Sequence, residues 1–270
     1  MKTKKGWFIA SLILLLLGAG YGLSRSSYGT LQNADGLVLE VKSDNKTYLP
    51  GEIILLNFSV INKSAKSVSL YKGSTVQDGN LKVLIAYNNG PFKEYFGPGW
   101  GTKDADYEEA IKLAPDQSFE TEATVLWNQK NETAHLNQLY AKKLIRGRIN
   151  TEYALPEPGT YQIKAILFNP LSGKTIESYP IIIIIEEPQG EDIEAWSKIK
   201  DDGKYALFLQ TGGLIEHPKG RKTLDVINTL ESILSLHPNS HYAESIRSGL
   251  NKHRSILESS ERKNLDNSNN

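Results

Sequence analysis

Residues 155–170, LPEPGTYQIKAILFNP, allow few folds. Pro156, Pro158 and Gly159 make a turn, and the chain leaves it with Tyr161, Ile163, Ala165 and Leu167 alternating with Gln162, Lys164, Ile166 and Phe168. Period-two spacing after a Pro/Gly turn predicts a strand with one face buried. Such a strand must lie under a second layer, so its neighbours decide the architecture.

Those neighbours read as more strands. Residues 37–41 form a first one. After the Pro50-Gly51 turn, residues 54–62 put Ile54, Leu56, Phe58 and Val60 on one face. Residues 68–71 and 81–87 continue the pattern, divided by Gly73 and Asp78-Gly79, and Asn89-Gly90 marks a further turn. Residues 118–127 place Phe119, Thr121, Ala123, Val125 and Trp127 on one face. Residues 181–185 are five consecutive isoleucines, which predicts a strand buried on both faces and covered on one of them by the C-terminal helices. Between strands, residues 131–148 carry Leu136, Leu139, Tyr140 and Leu144 at helical spacing, an amphipathic insertion.

Tyr161, at the start of its strand just after a turn, resembles the tyrosine corner of Ig-type sandwiches. Tyr48-Leu-Pro-Gly-Glu52, followed by LLNFSVINKSAKSVSL, resembles the opening of bacterial Ig-like and macroglobulin-type domains, and Gly159-Thr-Tyr161 resembles their penultimate strand. The resemblance covers residues 37–187 and implies a fold, an Ig-like antiparallel β-sandwich, with almost nothing about function. The thioester of complement-type relatives needs a cysteine, and this chain has none.

A smaller helical segment is expected after Glu187-Pro188-Gln189-Gly190, over residues 188–258. Glu191 and Asp192 complement the dipole of a first helix running through Ile193, Trp196, Ile199 and on past Asp202-Gly203 to Leu209. A second helix over residues 221–236 turns Leu224, Ile227, Leu230, Ile233 and Leu234 to one side. His237-Pro238 ends it, and Ser240 is placed to cap a third, with Tyr242, Ala243, Ile246, Leu250 and Ile256. LSLHPNSHYAESIRSGL resembles the second half of a tetratricopeptide-type unit, without an array to follow. Residues 259–270 are polar and read as a disordered tail.

At the other end, Lys2, Lys4 and Lys5 precede an apolar run over residues 6–23. That is a secretory signal or a signal anchor, followed by a Ser/Gly/Asn-rich linker over residues 24–36. Either form predicts an extracytoplasmic protein, periplasmic, secreted or at the cell surface, with membrane attachment through residues 1–23 if they stay. Lys+Arg and Asp+Glu both number 31, so no global field draws the chain to nucleic acid.

Residues 91–118 fit no period and read as a long ordered loop. Tyr95, Phe96 and Trp100, with Phe92, sit there among glycine and proline, either as a ligand-binding surface or as packing for one end of the sandwich. Asp104, Asp106, Glu108 and Glu109 resemble the start of a calcium loop, but Glu109 stands where that loop needs glycine and Pro115 where it needs the last carboxylate. His237 and His241 are four apart with Pro238 between, so they do not share a helical face for zinc, and Glu244 would be needed as a third ligand. Neither a metal nor a cofactor is expected, and no nucleophile or acid/base pair is nominated. The expectation is a non-enzymatic envelope module binding a protein or glycan; the alternative is an assembly factor whose C-terminal helices dock on a membrane-complex partner.

Overall fold

The computed structural model describes residues 36–97, 109–129, 151–214 and 220–268. The N-terminal apolar run, the 131–148 insertion, Trp100 and the acidic residues 104–108 lie outside them.

Gly159–Asn169 is the central strand of the larger sheet. In chain order the strands are β1 (Leu37–Ser43), β2 (Thr47–Tyr48), β3 (Ile54–Asn62), β4 (Val68–Tyr71), β5 (Leu81–Tyr87), β6 (Lys93–Glu94) and β7 (Ala110–Leu113). There follow β8 (Ser118–Val125), β9 (Trp127–Gln129), β10 (Thr151–Tyr153), β11 (Gly159–Asn169), β12 (Lys174–Glu177) and β13 (Ile181–Ile185). One sheet runs β1-β3-β8; the other runs β2-β13-β11-β5-β6, with β12 also on β11. Every pairing in these sheets is antiparallel except β13 with β2.

The alternation of β11 holds: Tyr161, Ile163, Ala165 and Leu167 are buried. They meet Leu39, Val41, Leu56, Phe58 and Val60 from the facing sheet in one continuous core. Each Val, Leu, Ile or Phe among them contributes about 1.5–3 kcal/mol by leaving water. Buried Asn62 and Asn169 fasten the small β4–β7 sheet: Asn62 Nδ2 donates to Leu113 O (2.8 Å) and Asn169 Nδ2 to Ser69 O (3.0 Å). β7 is itself a correction to the single long loop expected over residues 91–118. The Tyr161 hydroxyl donates back to Glu157 O at 3.0 Å and accepts from Glu157 N at 3.2 Å, closing the turn from which the strand departs.

The isoleucine strand departs from expectation. Ile183 and Ile185 are buried, but Ile182 is 59% and Ile184 44% exposed. A run of isoleucine carries no alternation of its own, so its burial depends only on what covers it, and the helices pack elsewhere. The edge of β13 is met instead by the stub β2, with Ile184 N donating to Lys46 O (2.8 Å) and Glu186 N to Tyr48 O (2.9 Å).

The helices are α1 (Glu191–Ile199), α2 (Gly203–Thr211), α3 (Arg221–Leu236) and α4 (Tyr242–Ser268). α2 is buried from Tyr205 to Leu209, so it is the centre of this layer. It packs with Leu126, Trp127, Tyr153, Leu49 and Ile53 at one end of the sheets, forming a second core. Sheets and helices therefore fall within one compact unit, Leu31–Asn270. Where the expected strand 118–127 breaks at Leu126, Gln210 of α2 fills the gap: it donates to Thr124 O (2.7 Å) and accepts from Trp127 N (2.8 Å).

Four details of the helices differ from the sequence reading. The single helix expected from Glu191 to Leu209 is two, α1 and α2, interrupted between Ile199 and Gly203. In α3 the inward residues are Thr223, Val226, Leu230 and Ile233, leaving Leu224 49% exposed. In α4, Gly249 lies against Leu209 and His253 Nδ1 donates to Gly212 O (2.8 Å), while Ile256 stays exposed. α4 runs on to Ser268, so the polar stretch from Ser259 is helical. No helix among the described residues is long and apolar enough to cross a membrane.

The joint between sheets and helices is the Pro50-Gly51 turn. Glu52 N donates to Leu49 O (3.2 Å), and Gly51 has φ +77°, the pattern of a turn with Pro then Gly at its centre. A Cβ on Gly51 would lie 2.3 Å from Cζ3 of Trp196, so the indole rests on bare backbone. Trp196 meets Tyr153 edge-on (4.8 Å) and stacks on Tyr242 (5.9 Å, 11°), whose hydroxyl donates to Pro50 O (2.8 Å).

Gly51→Ala combines a left-handed φ with this collision and should cost about 2 kcal/mol or more, read as a lowered urea midpoint. Tyr161→Ala should cost about 3 kcal/mol. An unchanged melting temperature in either variant would refute the corresponding role.

Candidate functional site

Of the aromatic residues expected to meet a ligand, Tyr95 turns inward. It is 6% exposed, its hydroxyl donates to Thr124 O (3.2 Å), and Gln210 Nε2 approaches at 3.4 Å. Burial pushes the phenol up to about 12, against hydrogen bonds that lower it. Tyr95 is therefore a packing residue of the sheet end. Phe96 is half-buried and held on both sides of its peptide, its N–H donating to Asn128 Oδ1 (2.9 Å) and its carbonyl accepting from Gln129 N (3.0 Å). Trp100 lies outside the described residues. Phe92, half-buried, lies under the Lys164 ammonium, 4.4 Å from the ring centre. Glu109, at the end of the acidic stretch, pairs with Lys72 at 2.7 Å.

One set of ionisable groups among the described residues is one that sequence reasoning did not assemble. It lies where the turn before β3 meets the N-termini of α1 and α4. Asp192, only 7% exposed, accepts two bonds from His241: its backbone N–H to Oδ1 (2.8 Å) and its Nδ1–H to Oδ2 (2.7 Å). The cap of α4 thus comes from α1, not from the expected Ser240, whose Oγ is buried without a partner among the described residues. The imidazole itself is largely exposed. On the turn, Leu49 N–H donates to Glu52 Oε2 (2.6 Å), and Tyr48 O–H donates to Asp44 Oδ1 while accepting from Asn45 N (3.0 Å). On the far side of the Pro238 break, His237 Nε2 lies 3.6 Å from Glu194 Oε2.

Three of these groups have displaced acidities. Burial and the bond to Asp44 raise the Tyr48 phenol. The hydrogen bond and charge of Asp192 raise His241 above its ordinary value, with Glu52 adding to it. Burial raises Glu52, partly offset by the Leu49 N–H bond and by His241. An Asp–imidazole pair with its far nitrogen in water can accept a proton. Here both carboxylates are already engaged, one on a helix N-terminus and one on a turn. Among the described residues no three His, Cys, Asp or Glu side chains are placed to hold a metal, and the two histidines considered for zinc face different acids. Asp192 could be read from the sequence only as a first-turn acid; its partner lies 49 residues away.

No family model matches the chain, and no curated protein matches it. Among solved structures it is similar to the sporulation control protein Spo0M from Bacillus subtilis, at 8% identity, covering 61% of this chain and 54% of that one with a TM-score of 0.29. The chain thus spans about half the length of that protein. It is similar to the CARDB domain of a Pyrococcus furiosus protein solved with di-metal ions, at 11% identity, 55% and 86% coverage and a TM-score of 0.25. It is also similar to a β-glucosidase from Erythrobacter marinus, at 12% identity, 55% and 15% coverage and a TM-score of 0.26. Likenesses at these scores carry no argument about what this chain does.

His241 and Glu52 both hold their protons more tightly in the fold than in the open chain. Stability from His241 is fully present below its unfolded value and is lost as pH rises through the raised one. Ionising Glu52 likewise costs the fold stability as pH rises above the ordinary carboxylate range. The urea midpoint should therefore fall by more between pH 5.5 and 8.5 in the wild type than in His241→Ala. An equal fall in both would remove the Asp192–His241 pair from this role.

Proposed function

We propose that this chain is an exported, non-enzymatic binding module of the cell envelope, built on an Ig-like sandwich and taking a protein partner. The sandwich reading is supported by two sheets closed on one core and by the Tyr161 hydroxyl returning to Glu157 O at 3.0 Å. The export reading rests on the basic-then-apolar residues 2–23.

The observation that carries binding is the outer face of β13, where Ile182 and Ile184 stand 59% and 44% exposed on a paired strand. Branched aliphatic side chains gain by burial against another apolar protein surface. They offer no aromatic face to a sugar, and Tyr95, which could have, is packed inside. A protein is therefore favoured over a glycan. Glu52 and Asp192, which could otherwise suggest chemistry, are spent on the turn and on the α4 cap.

The assembly-factor alternative has an observation of its own, exposed Ile193, Leu224 and Leu236 on the helices. Truncating the helices cannot test it, because Trp127, Tyr153 and Leu126 would lose the core they share with α2. Point variants can. Cross-linked capture from envelope preparations should be lost in Ile182→Lys/Ile184→Lys and kept in Leu224→Lys/Leu236→Lys. The reverse would transfer the role to the helices. Loss in neither would remove both surfaces.

A further inference from the structure

Among the described residues, three buried side-chain polar atoms have no hydrogen-bond partner: Nε1 of Trp127, the hydroxyl of Tyr153 and Oγ of Ser240. The first two stand together. Trp127 and Tyr153 are directly opposed across the β9–β10 pair, so their side chains leave the same face with Cβ atoms about 4.5–5.5 Å apart. Both belong to the core that the sheet end shares with the helices. We propose that a single water molecule is bound at this place, bridging the Trp127 indole N–H and the Tyr153 hydroxyl as a fixed part of the joint between sheet and helix.

An indole N–H donates and cannot accept, so Trp127 Nε1 is satisfied only by an acceptor. The polar groups of this core that could have served are engaged elsewhere. Gln210 spans Thr124 O and Trp127 N, the Tyr242 hydroxyl donates to Pro50 O, and Asp202 Oδ1 accepts from Lys204 N. Trp127 is 5% and Tyr153 2% exposed, so neither polar atom recovers on the surface the bonds it gave up on folding. A water oxygen accepts from both at once and still has two protons to give. The phenol, donor and acceptor alike, can turn to meet it either way.

Burial and charge limit the ligand to water. Whatever bonds both groups is enclosed by protein, which excludes a sugar or a peptide side chain arriving from outside. An anion of similar size meets the field of Asp202, which together with burial and the neighbouring phenols of Tyr242 and Tyr205 holds the Tyr153 proton well above its ordinary range. A neutral molecule with acceptor capacity remains. Its position has a mechanical effect: Tyr153 meets Trp196 edge-on at 4.8 Å, so a bond at the hydroxyl fixes from its far end the ring on which α1 is seated.

This water belongs to the fold whatever the surfaces of the chain bind, and its test reads no partner. Tyr153→Phe removes one oxygen and keeps the ring. With the water in place, the substitution leaves the water and the Trp127 N–H short of a partner, and the folding equilibrium constant from urea titration should fall about fivefold. A hydroxyl that bonds nothing predicts the opposite sign, and a variant as stable as the wild type or more stable would overturn the proposal. A crystal structure of the full wild-type chain, held in detergent, should show one solvent peak within about 2.7–3.2 Å of both Trp127 Nε1 and Tyr153 Oη. No peak there would overturn it. So would the two atoms lying within that distance of each other, since a direct bond gives the same loss in Tyr153→Phe without any water.

Discussion

The contact of Trp196 with Gly51 seats a helix directly on the backbone of a turn between strands. The indole can come this close to the turn only because position 51 has no side chain, and the turn can present itself only because Gly51 accepts φ +77°. Tyr153 and Tyr242 then close on the same ring from two sides, at 4.8 and 5.9 Å. One residue without a side chain thus sets the seat of three aromatic ones. The helices are consequently part of the sheets' stability and not an appendage to them.

The polar residues around this seat act in the same sense. Asp192 secures the start of α4, Gln210 fills the interruption between β8 and β9, and His253 holds the end of α2. Each satisfies backbone groups that a helix end or a broken strand would leave bare, where an unmet group costs about 1–3 kcal/mol.

How much of this was legible follows from the range of the interactions. Local periodicity located β3, β4, β5 and α3 at their observed bounds, and Tyr161 could be recognised because its bond partner is four residues away. The inward face of α3 was misplaced because Leu224 and Val226 differ in phase by two residues and only the packing partner chooses between them. The five isoleucines read alike whether one or both faces are covered. Tyr95 could not be told from a ligand contact, since its partners Thr124 and Gln210 lie 29 and 115 residues away.

The two-residue strand β2 has a consequence for the behaviour of many molecules together. It is continuous with the turn that seats Trp196, and it occupies the backbone edge of β13 at Ile184 and Ile185. A loosened turn would release that edge while Ile182 and Ile184 already face water, giving a charge-free, β-branched template for copies of itself. The concentration at which this protein stays dispersed is therefore governed by the tightness of one turn, far in sequence from the isoleucines it keeps apart.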